Sequence, residues 1–222
     1  MRRSTAALAA VLILAACTTT QSHTFTAGFE RPAPGATILV IEPDIELAVL
    51  TAAGLPEPRE DWTQSARANV AEAIAAQLGE RGRPVRAYAP GHSGREGQLI
   101  RLHEAVGNSI LLFNYGYIAL PTKEENFDWT LGPGAREIAA AQGARYALIT
   151  HARGHYASTG RVVMALLFGG PVGGQQIFAS LVDLHSGDII WFNVATTGPN
   201  ADMRQEEGAE ALVRALLNDA PL

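Results

Sequence analysis

The sequence has almost no cysteine or lysine and no apolar run long enough to cross a membrane as a helix. Cys17 is the only cysteine and Lys123 the only lysine among 222 residues. A single thiol excludes a disulfide within the chain and any metal site built from several cysteines. The apolar stretch at residues 6–16 is shorter than the roughly 20 residues that a transmembrane helix needs. The formal net charge of −5 argues against nucleic acid as a partner.

The N-terminus has the composition of an export signal. Arg2 and Arg3 form a charged start, and residues 6–16 form a short apolar segment that ends just before Cys17. A basic segment followed by a short apolar one is typical of a signal peptide. The sequence therefore predicts that the chain leaves the cytoplasm and that residues 1–16 are removed.

Residues 14–17 read LAAC and resemble the lipobox of bacterial lipoproteins. The resemblance implies that Cys17 is lipidated and becomes the mature N-terminus. Thr18 and Thr19 follow without an aspartate, which by analogy with enterobacterial sorting implies an anchor in the outer membrane, with the protein facing the periplasm. An ordinary secretory signal followed by an incidental cysteine is the alternative.

Behind the signal, the sequence indicates a tether and one domain. Residues 17–35 are polar, rich in threonine and then in proline, and lack the period of a strand or helix. They are expected to form a flexible, lipidated tether. Residues 36–222 are expected to form one periplasmic α/β domain. A domain of this length buries about 70% of its unfolded surface, so it needs no disulfide.

The first half of this domain reads as a βαβ unit. Residues 38–41 form an apolar run typical of a buried strand, and a proline-rich loop follows at 54–61. Asp61 is the predicted N-cap of a helix that ends at Gly79 and Gly82. The apolar face of that helix comprises Trp62, Ala66, Val70, Ile74 and Leu78. The stretch PVRAYAP then predicts a second strand.

The second half adds helices and a hairpin. A helix is predicted from Glu96, an irregular loop covers 119–134, and Gly132 and Pro133 open another helix that stops at Gly143. Residues 145–152 form a strand. Two strands at 177–184 and 189–195, joined by HSGD, form a hairpin before a last helix from about residue 201. The predicted fold is a single compact α/β domain, a mixed sheet with packed helices and a C-terminal hairpin plus helix.

The hairpin region resembles a group of bacterial outer-membrane lipoproteins. ARYALITHARG followed by FASLVDLHSGDIIWFN is similar to a segment shared by curli-secretion lipoproteins, lipoprotein activators of penicillin-binding proteins and a related group of periplasmic lipoproteins. LPTKEENFDWTLG and LHEAVGNSI also resemble the last group, so the resemblance covers residues 37–218. The positions that match the family hairpin are Val182, Asp183, Leu184, Ser186, Gly187, Ile189, Ile190 and Trp191.

What this resemblance implies is a compact α/β domain without a catalytic motif. Members of the group bind other envelope proteins or assemble with copies of themselves. The curli-type members form a pore by inserting long amphipathic hairpins, and this chain has no alternating segment of sufficient length for that. Trp191 is expected to be a core residue of the hairpin.

A serine hydrolase is the main catalytic alternative. PGHSGREG nearly spells the G-x-S-x-G nucleophile elbow around Ser93, but Arg95 stands where the second glycine is needed. Asp183 and His185 would complete a triad in the right chain order. They lie two residues apart on one face of the predicted hairpin, however, and this spacing disfavours the triad.

Metal and cofactor sites are not indicated either. His151 and His155 in HARGH lack the helix and the glutamate of a zinc motif, and they are interpreted as polar residues at a strand end. FGGPVGGQQ, residues 168–176, lacks the lysine and the strand-to-helix placement of a phosphate-binding loop. The sequence predicts no cofactor, no metal and no catalytic residue.

The sequence instead predicts a contact surface beside the glycines. Leu166, Leu167 and Phe168 are interpreted as the end of an apolar strand that runs into a Gly- and Pro-rich loop containing Pro171. These four residues are the predicted partner contact. The predicted function is a non-enzymatic protein-binding or envelope assembly factor, held in the membrane by its N-terminal lipid. Its partners are other envelope proteins or a second copy. A serine hydrolase and a subunit of a lipoprotein secretion complex are the alternatives.

Overall fold

A computed structural model describes residues 19–24, 29–91, 93–116, 118, 120–121, 127–197 and 201–222. The signal peptide, Cys17 and Lys123 lie outside these residues. Eight strands occur within the described residues: β1 (Thr19–Thr24), β2 (Ile38–Ile41), β3 (Asp44–Leu50), β4 (Pro56–Pro58), β5 (Val85–Tyr88), β6 (Tyr146–Ala157), β7 (Gly173–Asp183) and β8 (Ile189–Thr197). The helices there are α1 (Glu60–Glu80), α2 (Gly94–Phe113), α3 (Ala135–Gln142), α4 (Thr159–Phe168) and α5 (Glu206–Leu217).

All eight strands belong to one mixed sheet, in which β1, β8, β7, β6, β2 and β5 follow one another. β2 and β5 are parallel and α1 connects them, so the predicted βαβ unit is confirmed. β6 is parallel to β2 and β3, whereas β7 pairs antiparallel with both β6 and β8. The predicted α/β domain with a mixed sheet, packed helices and a C-terminal hairpin plus helix is confirmed.

The sheet has a buried apolar layer on each face. On one face α1 and α5 cover residues such as Leu148 and Ile177, and on the other face α2 and α3 cover residues such as Ile149 and Phe178. Alternation along β6 and β7 sends neighbouring side chains to opposite faces, and both faces are covered. For this reason β2 and most of β6 and β7 contain almost only buried residues, as the apolar runs indicated.

Several boundaries differ from the sequence-based expectation. Asp61 is not the N-cap of α1, because Arg59 holds that position and its guanidinium donates to the Asp61 carboxylate at 2.9 and 2.6 Å. Helix α3 begins at Ala135, two residues after Pro133. Gly143, at φ 60°, ends it in the left-handed conformation as predicted.

Several strands were not anticipated at their observed extent, and β3 (Asp44–Leu50) was not predicted at all. β4 forms within the predicted proline-rich loop and pairs only with β3, an edge position that tolerates proline. β6 continues five residues past the predicted end at Ala152 because β3 and β7 pair with that extension. β1 forms within the predicted tether: its polar sequence lacks alternation, and backbone pairing with β8 defines it.

The strand registers place the ends of five strands, together with α4, at one end of the sheet, which we call the α4 end. Tyr156 near the end of β6 pairs with Gly173 at the start of β7, and α4 lies between them in the chain. Leu50 at the end of β3 pairs with Ala157. The end of β8 and the start of β1 lie toward the same end of the sheet. The opposite end, the turn end, carries the β7–β8 connection.

Candidate functional site

Three of the four predicted contact residues, Leu166, Leu167 and Phe168, lie on a helix, and the strand expected there is wrong. Short apolar runs are compatible with strand or helix, and here the flanking residues decide. The Ser158 side chain accepts a hydrogen bond from the backbone N–H of Arg161 at 3.2 Å, which caps the start of α4. Gly169, at φ 77°, ends the helix, with its N–H bonded to the carbonyl of Ala165.

This helix exposes an unusually large apolar area. Leu166, Leu167 and Phe168 are 81%, 68% and 76% exposed, and none of the ten residues of α4, all within the described chain, is buried. We call the following set the α4 surface: Val162, Val163, Met164, Leu166, Leu167, Phe168 and Val172. Contiguous exposed apolar side chains of this kind mark a contact site more often than an ordinary surface.

The loop after α4 is attached to the helix. Nε of Arg161 donates to the carbonyl of Pro171 at 3.0 Å. A Cβ atom at Gly170 would lie 2.4 Å from Nη2 of Arg161, so a larger residue there would displace the guanidinium. Gly170 also has φ 117°, which other residues rarely adopt. Pro171 is exposed beside the α4 surface, so the structure brings the four predicted contact residues together on one segment.

A second candidate site is a cleft of about 340 Å³ beside the ends of β2 and β5. Asp44, Glu104 and Arg153 line it. Nδ1 of the buried His151 lies 3.2 Å from Oδ2 of Asp44, and Nε2 lies 3.7 Å from Oε1 of Glu104. The donor atoms of the two carboxylates and the imidazole lie within 4.8 Å of one another, a spacing that would suit a metal ion.

In this cleft, however, Arg153 supplies the positive charge. Its guanidinium lies 3.3 Å from a carboxylate oxygen of Asp44 and 3.3 Å from one of Glu104. Burial raises the pKa of Asp44, but the hydrogen bond from His151 and the charge of Arg153 outweigh it and lower that pKa to about 2. The cluster is therefore best explained as an ion-pair network that joins β3, β6 and α2. His155 lies four residues beyond His151 on β6 and is exposed.

His103 is a buried polar residue that the sequence did not single out. Its Nε2 lies 2.8 Å from the hydroxyl oxygen of Ser180 on β7. Burial, aided by the charge of His151, lowers the pKa of His103 to about 3. Both imidazoles contact Phe178, at centroid distances of 5.5 Å for His103 and 4.7 Å for His151. The only sequence signal for His103 was its place at helical spacing beside the apolar face of the predicted helix.

The structure does not assemble the hydrolase triad. Ser93 is exposed at the N-cap position of α2, and Arg95 makes an ion pair with Glu137. Ser93 follows β5 in the chain, whereas Asp183 ends β7. β7 lies three strands across from β5, which is roughly 14 Å at about 4.8 Å per strand.

The Asp183 carboxylate is already occupied by other donors. Its Oδ2 accepts from Arg145 at 3.0 and 2.9 Å, and its Oδ1 accepts from the backbone N–H of His185 at 2.9 Å. A catalytic aspartate would instead bind the imidazole of the histidine. These hydrogen bonds favour a role for Asp183 in shaping the β7–β8 connection.

The other residues of the family hairpin have local packing roles. The Ser186 hydroxyl accepts from the N–H of Asp188 at 3.2 Å. Gly187 has φ 89°, and a Cβ there would lie 2.1 Å from the carbonyl oxygen of Gly132, so the residue must be glycine. Trp191 is fully buried in the core, as expected. The hairpin motif thus explains a turn and its packing.

Comparison with known proteins gives a weak structural likeness. No protein-family model and no curated protein matches the chain, so the resemblance to envelope lipoproteins has no support from sequence comparison. The chain is similar to the PelC dodecamer from Paraburkholderia phytofirmans at 17% identity and a TM-score of 0.42, covering 92% of this chain and 98% of that one. The chain is also similar to a substituted PelC dodecamer from that organism, at 16% identity and a TM-score of 0.42. That match covers 92% of this chain and 97% of that one.

Proposed function

We propose that this chain is an outer-membrane-anchored, periplasm-facing lipoprotein that works without catalysis, as a binding or assembly factor of the cell envelope. The α4 surface is where it makes contact. The exposure of Leu166, Leu167 and Phe168 is the observation that carries this proposal. Burying one such side chain stabilises a contact by about 1.5–3 kcal/mol before ordering costs are subtracted.

The anchor in this proposal comes from the sequence. The signal-like residues 1–16 and the cysteine that follows them support lipidation at Cys17. In the described residues, no helix is long and apolar enough to cross a membrane. On the basis of the signal-like segment and Cys17, the lipid is the proposed attachment of the chain to the membrane.

The non-catalytic part of the proposal is supported by how polar groups are used. Asp183 is held by Arg145, and Arg153 bridges the carboxylates of the cleft. Ser93 lies apart from the carboxylate that a triad would use. These interactions are those of residues that hold elements together, whereas Leu166, Leu167 and Phe168 are mostly exposed.

Photo-crosslinking in intact cells tests the proposal. A photoreactive residue at Val163, which is 50% exposed, is combined with Leu167→Asp or Phe168→Asp. Both variants are expected to lose most crosslinked products, protein or lipid, and to keep the melting temperature of the parent. Leu102→Asp on α2, where Leu102 is 41% exposed, is the matched control and should crosslink normally. Unchanged crosslinking in both α4 variants would contradict the proposal, as would their unfolding.

A further inference from the structure

We infer that the α4 surface rests on the lipid leaflet that holds the lipid of Cys17. This inference rests on the proposed function, because it names what the α4 surface contacts. It commits to lipid as the occupant, and a second copy or a different protein is an outcome that would overturn it.

The N-terminal strand begins at the end of the sheet where α4 lies. Thr19 pairs with Thr196 near the end of β8, so the chain enters β1 from the α4 end of the sheet. Cys17 stands two residues before Thr19, which is at most roughly 7 Å of chain. A lipid on Cys17 therefore holds the α4 end of the sheet close to the membrane, and the most exposed apolar segment of the described domain lies at that same end.

The distribution of charge along the chain also favours a lipid surface as the occupant. The chain has a formal net charge of −5, yet it contains no acidic residue between Glu137 and Asp183. This interval includes β6, α4 and most of β7. The only charged side chain of α4 is Arg161. An apolar helix with a basic residue and no acidic one suits a surface of acyl chains and phosphate groups, whereas acidic residues would be repelled by anionic lipids.

The length and placement of α4 also suit a membrane surface. The ten residues of α4 span about 15 Å, half of the hydrocarbon thickness, so this helix lies on a membrane and does not cross it. Its domain side is marked by Gly160, where a Cβ would lie 3.1 Å from the Ala52 side chain. Leu166, Leu167 and Phe168 extend away from the domain with little contact of their own.

The lipid contact orients the domain. With α4 and the anchor on the leaflet, the turn end of the sheet is directed away from the membrane. Two attachments on one domain define its orientation better than a single flexible lipid does. The α4 surface then sets which side of the domain other envelope components can reach.

Depth-dependent quenching tests this inference on the mature, acylated protein. Leu167→Cys introduces a thiol that is labelled with bimane, since the thiol of Cys17 carries the lipid. The protein is placed in vesicles of phosphatidylethanolamine and phosphatidylglycerol, with and without brominated acyl chains, at one protein per vesicle. His185→Cys, exposed at the turn end, is the matched control.

The expected result is that brominated lipid quenches the label at position 167 at least twofold and leaves the label at position 185 unchanged. Equal fluorescence of the position 167 label in both lipids overturns the inference. If that label becomes shielded only as protein density rises, a second copy is the partner, and the proposed function survives without the lipid contact. Absence of acylation at Cys17 overturns the inference as well. The proposed contact through the α4 surface is tested separately, and it fails if the α4 variants crosslink normally in cells or unfold.

Discussion

Thr19 on β1 lies opposite Thr196 on β8 in an antiparallel register, so the N-terminal strand enters the sheet at the end where α4 is exposed. This pairing links the two features on which the account depends, the cysteine two residues earlier and the apolar helix. The first prediction concerns that cysteine.

Cys17→Ser should abolish the attachment of lipid, because the thiol is the proposed acylation site. We expect no incorporation of labelled palmitate and either a soluble product or an uncleaved precursor. Ser93→Ala is a suitable control because it leaves the signal and the cysteine intact. Normal palmitate incorporation into the Cys17→Ser protein would refute lipidation at this residue.

Ser93→Ala should itself leave fold and cellular phenotype unchanged. Ser93 is exposed, Arg95 occupies the position of the second elbow glycine, and the carboxylate of Asp183 binds Arg145. The measurement is hydrolysis of a generic ester together with thermal unfolding. Hydrolysis by the wild type that disappears in Ser93→Ala would establish the hydrolase and overturn the non-catalytic account.

Gly107→Ala should destabilise the domain by about 1–3 kcal/mol, because the added methyl overpacks the core. Its Cβ would lie 2.3 Å from a ring carbon of Phe178. Gly79→Ala is the matched control: it is also helical, but its Cβ would meet nothing within 4 Å. We expect the control to be neutral or to stabilise by up to about 1 kcal/mol. Equal unfolding midpoints in urea for the two variants would contradict the packing of α2 on β7.

His103 should make stability depend on pH below neutrality. In the folded state its pKa is about 3, whereas an unfolded histidine has a pKa of about 6.5. As pH falls from 6.5 toward 3, the unfolded state binds a proton that the folded state does not. The free energy of unfolding therefore falls by up to about 1.4 kcal/mol per pH unit, and this contribution is fully present above pH 6.5.

His103→Gln retains a polar partner for Ser180 and cannot take up that proton. Chemical denaturation at pH 7, 6, 5 and 4 should give a flatter stability profile for this variant than for the wild type. Parallel profiles would show that His103 is protonated in the folded protein, against its full burial beside Phe178.

The sequence predicted the helices and strands whose apolar residues recur at a regular spacing or form a continuous run. Ala209, Leu212 and Leu216 recur at helical spacing and are buried on α5, and Ile38 to Ile41 form a buried strand. β1 could not be predicted in this way, because its polar residues lack alternation and only pairing with β8 defines the strand.

The sequence identified residues of the candidate contact surface, but it assigned them the wrong secondary structure. The sequence placed Leu166, Leu167 and Phe168 in a contact surface, but an apolar run of this length does not distinguish strand from helix. The N-cap at Ser158 was the available signal. The network around Asp44 and Arg153 was not predictable, because it depends on the parallel pairing of β3 with β6, far apart in the chain.

The most direct test of the account is the accessibility of the α4 surface in cells. Leu167→Cys and His185→Cys are treated with a polar maleimide that reaches the periplasm, and their labelling rates are compared, with labelling after denaturation as the reference. The account predicts that the thiol at position 167 reacts at least tenfold more slowly than the one at position 185, because a contact covers α4. Equal rates would show that α4 stays open to water and would contradict the account.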